Sequence, residues 1–102
     1  MPSDRDAIRE LLKYSRAQAP HLISHFLYFS VRASADKAAT KLRSGGFSTE
    51  QRMGGDGINW LVLAQHRIVP TESSVGAARR FLEEVARDYD GEYDGWEAET
   101  EP

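Results

Sequence analysis

The sequence contains no cysteine. That excludes a disulfide framework, a thiolate metal site, an iron–sulfur cluster and a cysteine nucleophile, and it suits a reducing compartment. Long hydrophobic runs are missing too. The longest, Phe26-Leu27-Tyr28-Phe29 and Trp60-Leu61-Val62-Leu63-Ala64, fall far short of the roughly 20 apolar residues of a membrane-spanning helix. The first twenty residues lack the apolar core of a secretory signal. A cytoplasmic protein with no membrane association is expected. Proline is sparse, with four copies, and the four prolines and eight glycines fall mainly at points of punctuation. Repeats and low-complexity stretches are absent.

What is present is ordinary globular composition: 102 residues, 40% apolar and 28% charged, enough for one domain with one modest core. The charge is unevenly placed. Residues 1–52 carry nine Lys/Arg against five Asp/Glu, whereas residues 53–102 carry four against eleven. Between residues 83 and 101 there are nine acids and a single base, Arg87. Such a segment repels phosphate and favours a basic partner surface, although a solvated helix end and tail have the same composition.

Along the chain, residues 4–17 read as a helix capped by Ser3, with Asp4 and Asp6 at its positive end and a narrow stripe of Ile8, Leu11 and Leu12. Ala19-Pro20 ends this segment. Residues 21–32 read as a strand that is apolar on both faces, which suits a central position. Ser34 is the expected cap of the next helix. There Ala35, Ala38, Ala39 and Leu42 form a small-residue face, and Gly45-Gly46 provides the stop. Residues 47–53 alternate like a half-exposed edge strand. Gly54-Gly55-Asp56-Gly57 forms a hairpin connection, and 58–69 is a second two-sided apolar strand. Beyond Pro70, a helix capped by Thr71, Ser73 or Ser74 runs to about Tyr89 with Val75, Ala78, Phe81, Leu82, Val85 and Tyr89 on its buried stripe. Asp90-Gly91 stops it, and residues 92 to about 99 make a short last strand or extended segment.

The order β-α-β-β-α-β after a leading helix predicts an α+β, ferredoxin-like fold with an antiparallel sheet in the order 4-1-3-2. The expected organisation is an N-terminal helical extension over 1–20, a single domain over 21–99 and an acidic tail end at 100–102.

Catalytic constellations are poorly represented. His21, His25 and His66 do not make a metal site by spacing. His21 and His25 share a strand face but lie about 13 Å apart along it. There is no G-x-S-x-G elbow, and the C-terminal carboxylates look solvated rather than buried as acid–base pairs. The glycine-rich hairpin lacks the Lys-Ser/Thr and following helix of a phosphate loop. Phe26, Tyr28 and Trp60 are candidate base-stacking residues, but the basic-aromatic signature of an RNA-recognition motif is missing and the chain is acidic. No cofactor, metal or direct nucleic-acid contact is expected. One alternative is a small-molecule-binding or enzymatic domain, dimeric as such folds often are, with a pocket near His25, His66 and Trp60.

The most distinctive segment is Tyr89-Asp90-Gly91-Glu92-Tyr93-Asp94-Gly95-Trp96-Glu97. Gly95 marks a bulge, a turn or a close backbone approach. Tyr93 and Trp96 either close the core beneath the second long helix or form an exposed aromatic anchor ringed by acids, as a protein-binding hot spot requires. Asp90, Glu92, Tyr93, Asp94, Gly95 and Trp96 are the candidate partner-binding residues.

Glu92-Tyr93-Asp94-Gly95-Trp96, close after a long helix, resembles the C-terminal signature of the regulator of ribonuclease E activity B (ribonuclease E inhibitor) family. Lys37-Ala38-Ala39 followed by Gly46-Phe47 resembles the same family's first domain helix and its turn into the next strand. The resemblance covers roughly residues 21–99. It implies a small bacterial, non-catalytic protein of ferredoxin-like fold. It further implies that the chain binds an endoribonuclease of messenger RNA decay, or that enzyme's scaffold, and restrains its action. The leading helix differs from the strongly acidic one of the family's namesake. Here Arg5, Arg9, Lys13 and Arg16 are mixed among the acids, a difference that bears on which partner is regulated.

Overall fold

The computed structural model describes residues 3–13 and 19–99. Seven elements follow in order: α1 (Asp4–Leu12), β1 (His21–Phe29), α2 (Arg32–Ser44), β2 (Ser48–Met53), β3 (Trp60–Ile68), α3 (Glu72–Asp88) and β4 (Gly91–Ala98). The four strands form one antiparallel sheet in the order β2-β3-β1-β4, the expected 4-1-3-2 arrangement read from the other edge. The two strands with apolar residues on both faces, β1 and β3, occupy the centre.

Strand alternation sorts the side chains. On β1, His21, Ile23, His25, Leu27 and Phe29 are all buried, while Leu22, Phe26 and Tyr28 are half-buried on the opposite face. The buried face is covered by α2 and α3. Ala35, Ala38 and Ala39 let α2 approach the sheet closely, and with Leu27, Phe29, Leu42, Val62, Leu82 and Val85 they make the core. Fully burying each of the large residues stabilises the fold by roughly 1.5–3 kcal/mol.

Several local expectations need correction. Ser34 does not cap α2. The N-cap is Val31, which offers no side-chain hydrogen bond, and the helix begins at Arg32. Strand β3 begins at Trp60 rather than residue 58. The Asp56 carboxylate accepts the backbone N–H groups of Ile58 and Asn59 at 2.9 and 3.0 Å, so these donors are used by the turn and not by the ladder. Ile58 is consequently 72% exposed. At α3 the cap is Thr71, in a reciprocal capping box with Ser74. Ser3 caps α1 by accepting the Asp6 N–H at 3.1 Å, and α1 is described as helix through Leu12. The rest of the expected helix over 4–17, including Arg16, and the tail at 100–102 lie largely outside the described residues. No helix among the described residues is long and apolar enough to cross a membrane.

Candidate functional site

The C-terminal segment is shaped by two glycines and one aspartate. Asp90 takes the left-handed conformation (φ 58°) that ends α3. Gly91 then passes so close to Phe29 that an added Cβ would lie 2.4 Å from its ring. In the β1–β4 ladder, Leu27 pairs with Tyr93 and His25 with Trp96, so three residues of β4 span two of β1. Gly95, at φ 104°, absorbs the extra residue as a bulge.

The bulge decides where the signature points. In a regular strand Tyr93 and Trp96, three apart, face opposite sides. With one residue inserted, both turn toward the helices, opposite the inward-facing Leu27 and His25. Both are half-buried. The Trp96 indole N–H donates to the Asp4 carboxylate of α1 at 3.1 Å. Arg79 of α3 donates to the other Asp4 oxygen at 2.8 Å and to Glu83 at 2.7 Å. The aromatic pair therefore closes the interior and fastens α1, and the acids stand outside. Asp90, Glu92, Asp94 and Glu97 are all exposed. Among the described residues none of these four has an ion-pair partner.

Beneath β4 lies a polar chain. The Tyr93 hydroxyl is 2.8 Å from His25 Nδ1, and His25 Nε2 is 3.0 Å from His66 Nε2. One facing imidazole nitrogen carries a proton and the other accepts the hydrogen bond, so the two rings cannot both be protonated while this contact is kept. His66 packs on the Phe47 ring at 4.5 Å, and Phe47 stacks on Phe81. Burial, reinforced by His66, pushes His25 down to about 3. Burial likewise lowers His66 and raises the Tyr93 phenol. His21 uses Nδ1 to donate to the Ala19 carbonyl at 2.7 Å. Among the described residues no group of three or more His, Asp or Glu is placed to hold a metal ion. Both nitrogens of His25 are already engaged, so it presents no free edge to a small-molecule substrate.

The three aromatics considered for stacking are divided. Phe26 and Tyr28 share the face of the sheet that no described helix covers. Trp60 lies on the other face, packed against the core with Arg32 over its ring at 5.2 Å. Tyr28 floors two adjoining surface cavities. One, of about 300 Å³, is lined by Gly55, Asp56, Asn59, Glu92 and Asp94. The other, of about 210 Å³, is lined by Ser30, Asn59, Asp90, Gly91 and Glu92. Backbone hydrogen bonds from Asn59 and Ile58 hold the Asp56 carboxyl below its usual range, so it stays ionised. Asp4 and Arg79 were missed as organising residues in the sequence, because no local pattern marks a contact 92 residues away.

The chain matches no curated protein sequence. Residues 3–98, which include α1 and all four strands, match the family described as RraB, Regulator of ribonuclease activity B. The signature segment and the helix-to-strand turn both fall within that span, and the chain belongs to this family.

Proposed function

We propose that this protein is a non-catalytic, protein-binding regulator of a bacterial endoribonuclease of the ribonuclease E type, working in the cytoplasm. Family membership supports the regulatory role. The observation that carries the binding mode is the exposed row Asp90, Glu92 and Asp94 on an otherwise inward-turned signature. In this reading Tyr93, Gly95 and Trp96 contribute by setting the register that displays those acids. The partner is the ribonuclease or its scaffold, met through basic residues, with no direct nucleic-acid contact. Residues 21–99 are read as one ferredoxin-like domain and 1–20 as an extension fastened to it through Asp4.

The test is cleavage of a short RNA by the cognate ribonuclease with and without the protein. The expected result is slower cleavage that saturates as regulator is added and co-elution of the two proteins. Unchanged cleavage together with no co-elution contradicts the proposal.

A further inference from the structure

Because Tyr93 and Trp96 turn inward, the apolar anchor for a partner must come from elsewhere. The acids Glu92 and Glu97 pair across the ladder with Tyr28 and Ser24, residues of the face that no described helix covers. The centre of that face is apolar. Phe26 stands opposite Leu63, and Tyr28 opposite Leu61.

We propose that this open sheet face, with its β4 border, is the docking surface for a basic amphipathic segment of a partner protein. Apolar side chains of the segment would lie on Phe26, Tyr28 and Leu63, and Lys or Arg side chains would reach the β4 acids. This deepens the regulatory reading above and rests on it.

Charge complementarity selects the occupant. On the β2 side, Glu50 and Arg52 lie 3.8 Å apart and offset each other. On the β4 side, Glu92, Asp94 and Glu97 have no described cation, and Asp56 adds a further ionised carboxylate across the Tyr28 cavity. The surface is therefore apolar in the middle and negative along one border, with a further cation, Arg67, opposite Leu22 toward one end of the face. RNA is repelled by that border. A second copy stacked with β4 over β4 would bring its own carboxylates toward these. Cavities of about 210 and 300 Å³ sit at or below the lower limit for small-molecule sites. They suit one long basic side chain lying over the Tyr28 ring, an arrangement with cation–π attraction.

The experiment is an amide chemical-shift titration of the full-length protein with a synthetic twelve-residue peptide in which arginine alternates with leucine and tyrosine. The controls are the same peptide with glutamate for arginine, and a single-stranded RNA oligonucleotide. The expected result is shifts at Phe26, Tyr28, Leu63, Glu92 and Asp94 with the basic peptide alone. Affinity should fall at least tenfold in Glu92→Lys/Asp94→Lys and severalfold in Tyr28→Ala, with the spectra showing that both variants remain folded. Shifts confined to the helices, equal response to the acidic peptide, binding of the RNA at this face, or open-face shifts that depend on protein concentration alone would each overturn the proposal. The two readings fail separately. Inhibition of the ribonuclease without peptide binding here removes the docking surface alone. Peptide binding here without any effect on the ribonuclease removes the ribonuclease reading alone.

Discussion

The Trp96 indole N–H donates to the Asp4 carboxylate at 3.1 Å, joining the last strand to the first helix across 92 residues of chain. Asp4 is also held by Arg79, so a single carboxylate ties together α1, α3 and β4. Trp96→Phe keeps an aromatic ring, though a smaller one, and removes the donor. Loss of a hydrogen bond to a charged group costs about 1.5–3 kcal/mol, and the remaining Arg79 contact keeps the loss near the lower end. Urea denaturation should show this drop, with faster amide exchange in α1. An unchanged midpoint and unchanged α1 protection would show that the contact does not fasten the helix.

Gly95→Ala tests the bulge. The backbone there has φ 104°, a conformation that costs an L-residue about 1–3 kcal/mol. The substitution should destabilise by that amount and weaken the Trp96–Asp4 contact, seen as a shift of the Trp96 indole N–H resonance. A variant of native stability and spectrum contradicts the assignment of Gly95 to the turning of Trp96.

Gly91→Ala tests a different constraint, close approach rather than conformation. The new methyl would meet the buried Phe29 ring at 2.4 Å, and overpacking of this kind costs about 1–3 kcal/mol. Combining it with Phe29→Leu should recover part of the loss, because the clash is with the ring. Strictly additive losses in the double variant would show that the contact is not the cause.

Stability should depend on pH through the histidine pair. His25 has a folded value near 3 against 6.5 for an ordinary histidine, and His66 is lowered in the same direction. Between those values the unfolded chain binds more protons than the folded one, so stability is fully present above about 6.5 and falls as pH drops toward 3. For His25 the slope approaches about 1.4 kcal/mol per pH unit in that window. Denaturation midpoints between pH 7.5 and 5, before most carboxylates titrate, isolate this effect, and His25→Gln should flatten the profile. A wild-type profile that is already flat over this range would sink the idea that His25 is held neutral.

Much of the fold was legible because it rests on side-chain periodicity. Strands β1 and β3 are apolar on both faces, which placed them centrally, and Ala35, Ala38 and Ala39 marked the face of α2 that meets the sheet. Less legible were features decided by a single competing hydrogen bond. Asp56 captures the N–H groups of Ile58 and Asn59 and shortens β3, although Ile58 fits the strand pattern. The signature segment shows the limit most clearly. Gly95 was recognisable as a bulge or turn, but a period of two places Tyr93 and Trp96 on opposite faces, and only the inserted residue brings them together. The Tyr93–His25–His66 chain likewise needs the exact strand register, which residue spacing alone does not supply.

The central claim is that the exposed acids of β4 and of the turn leading into it meet a basic surface on the ribonuclease. The most direct measurement is the association rate and affinity of the full-length protein for the cognate enzyme over a range of salt concentrations. It compares wild type with Asp90→Lys/Glu92→Lys/Asp94→Lys. The expected result is binding that weakens with salt, and a triple variant at least tenfold weaker, about 1.4 kcal/mol, chiefly through slower association. Equal affinity of the two proteins at every salt concentration would contradict it.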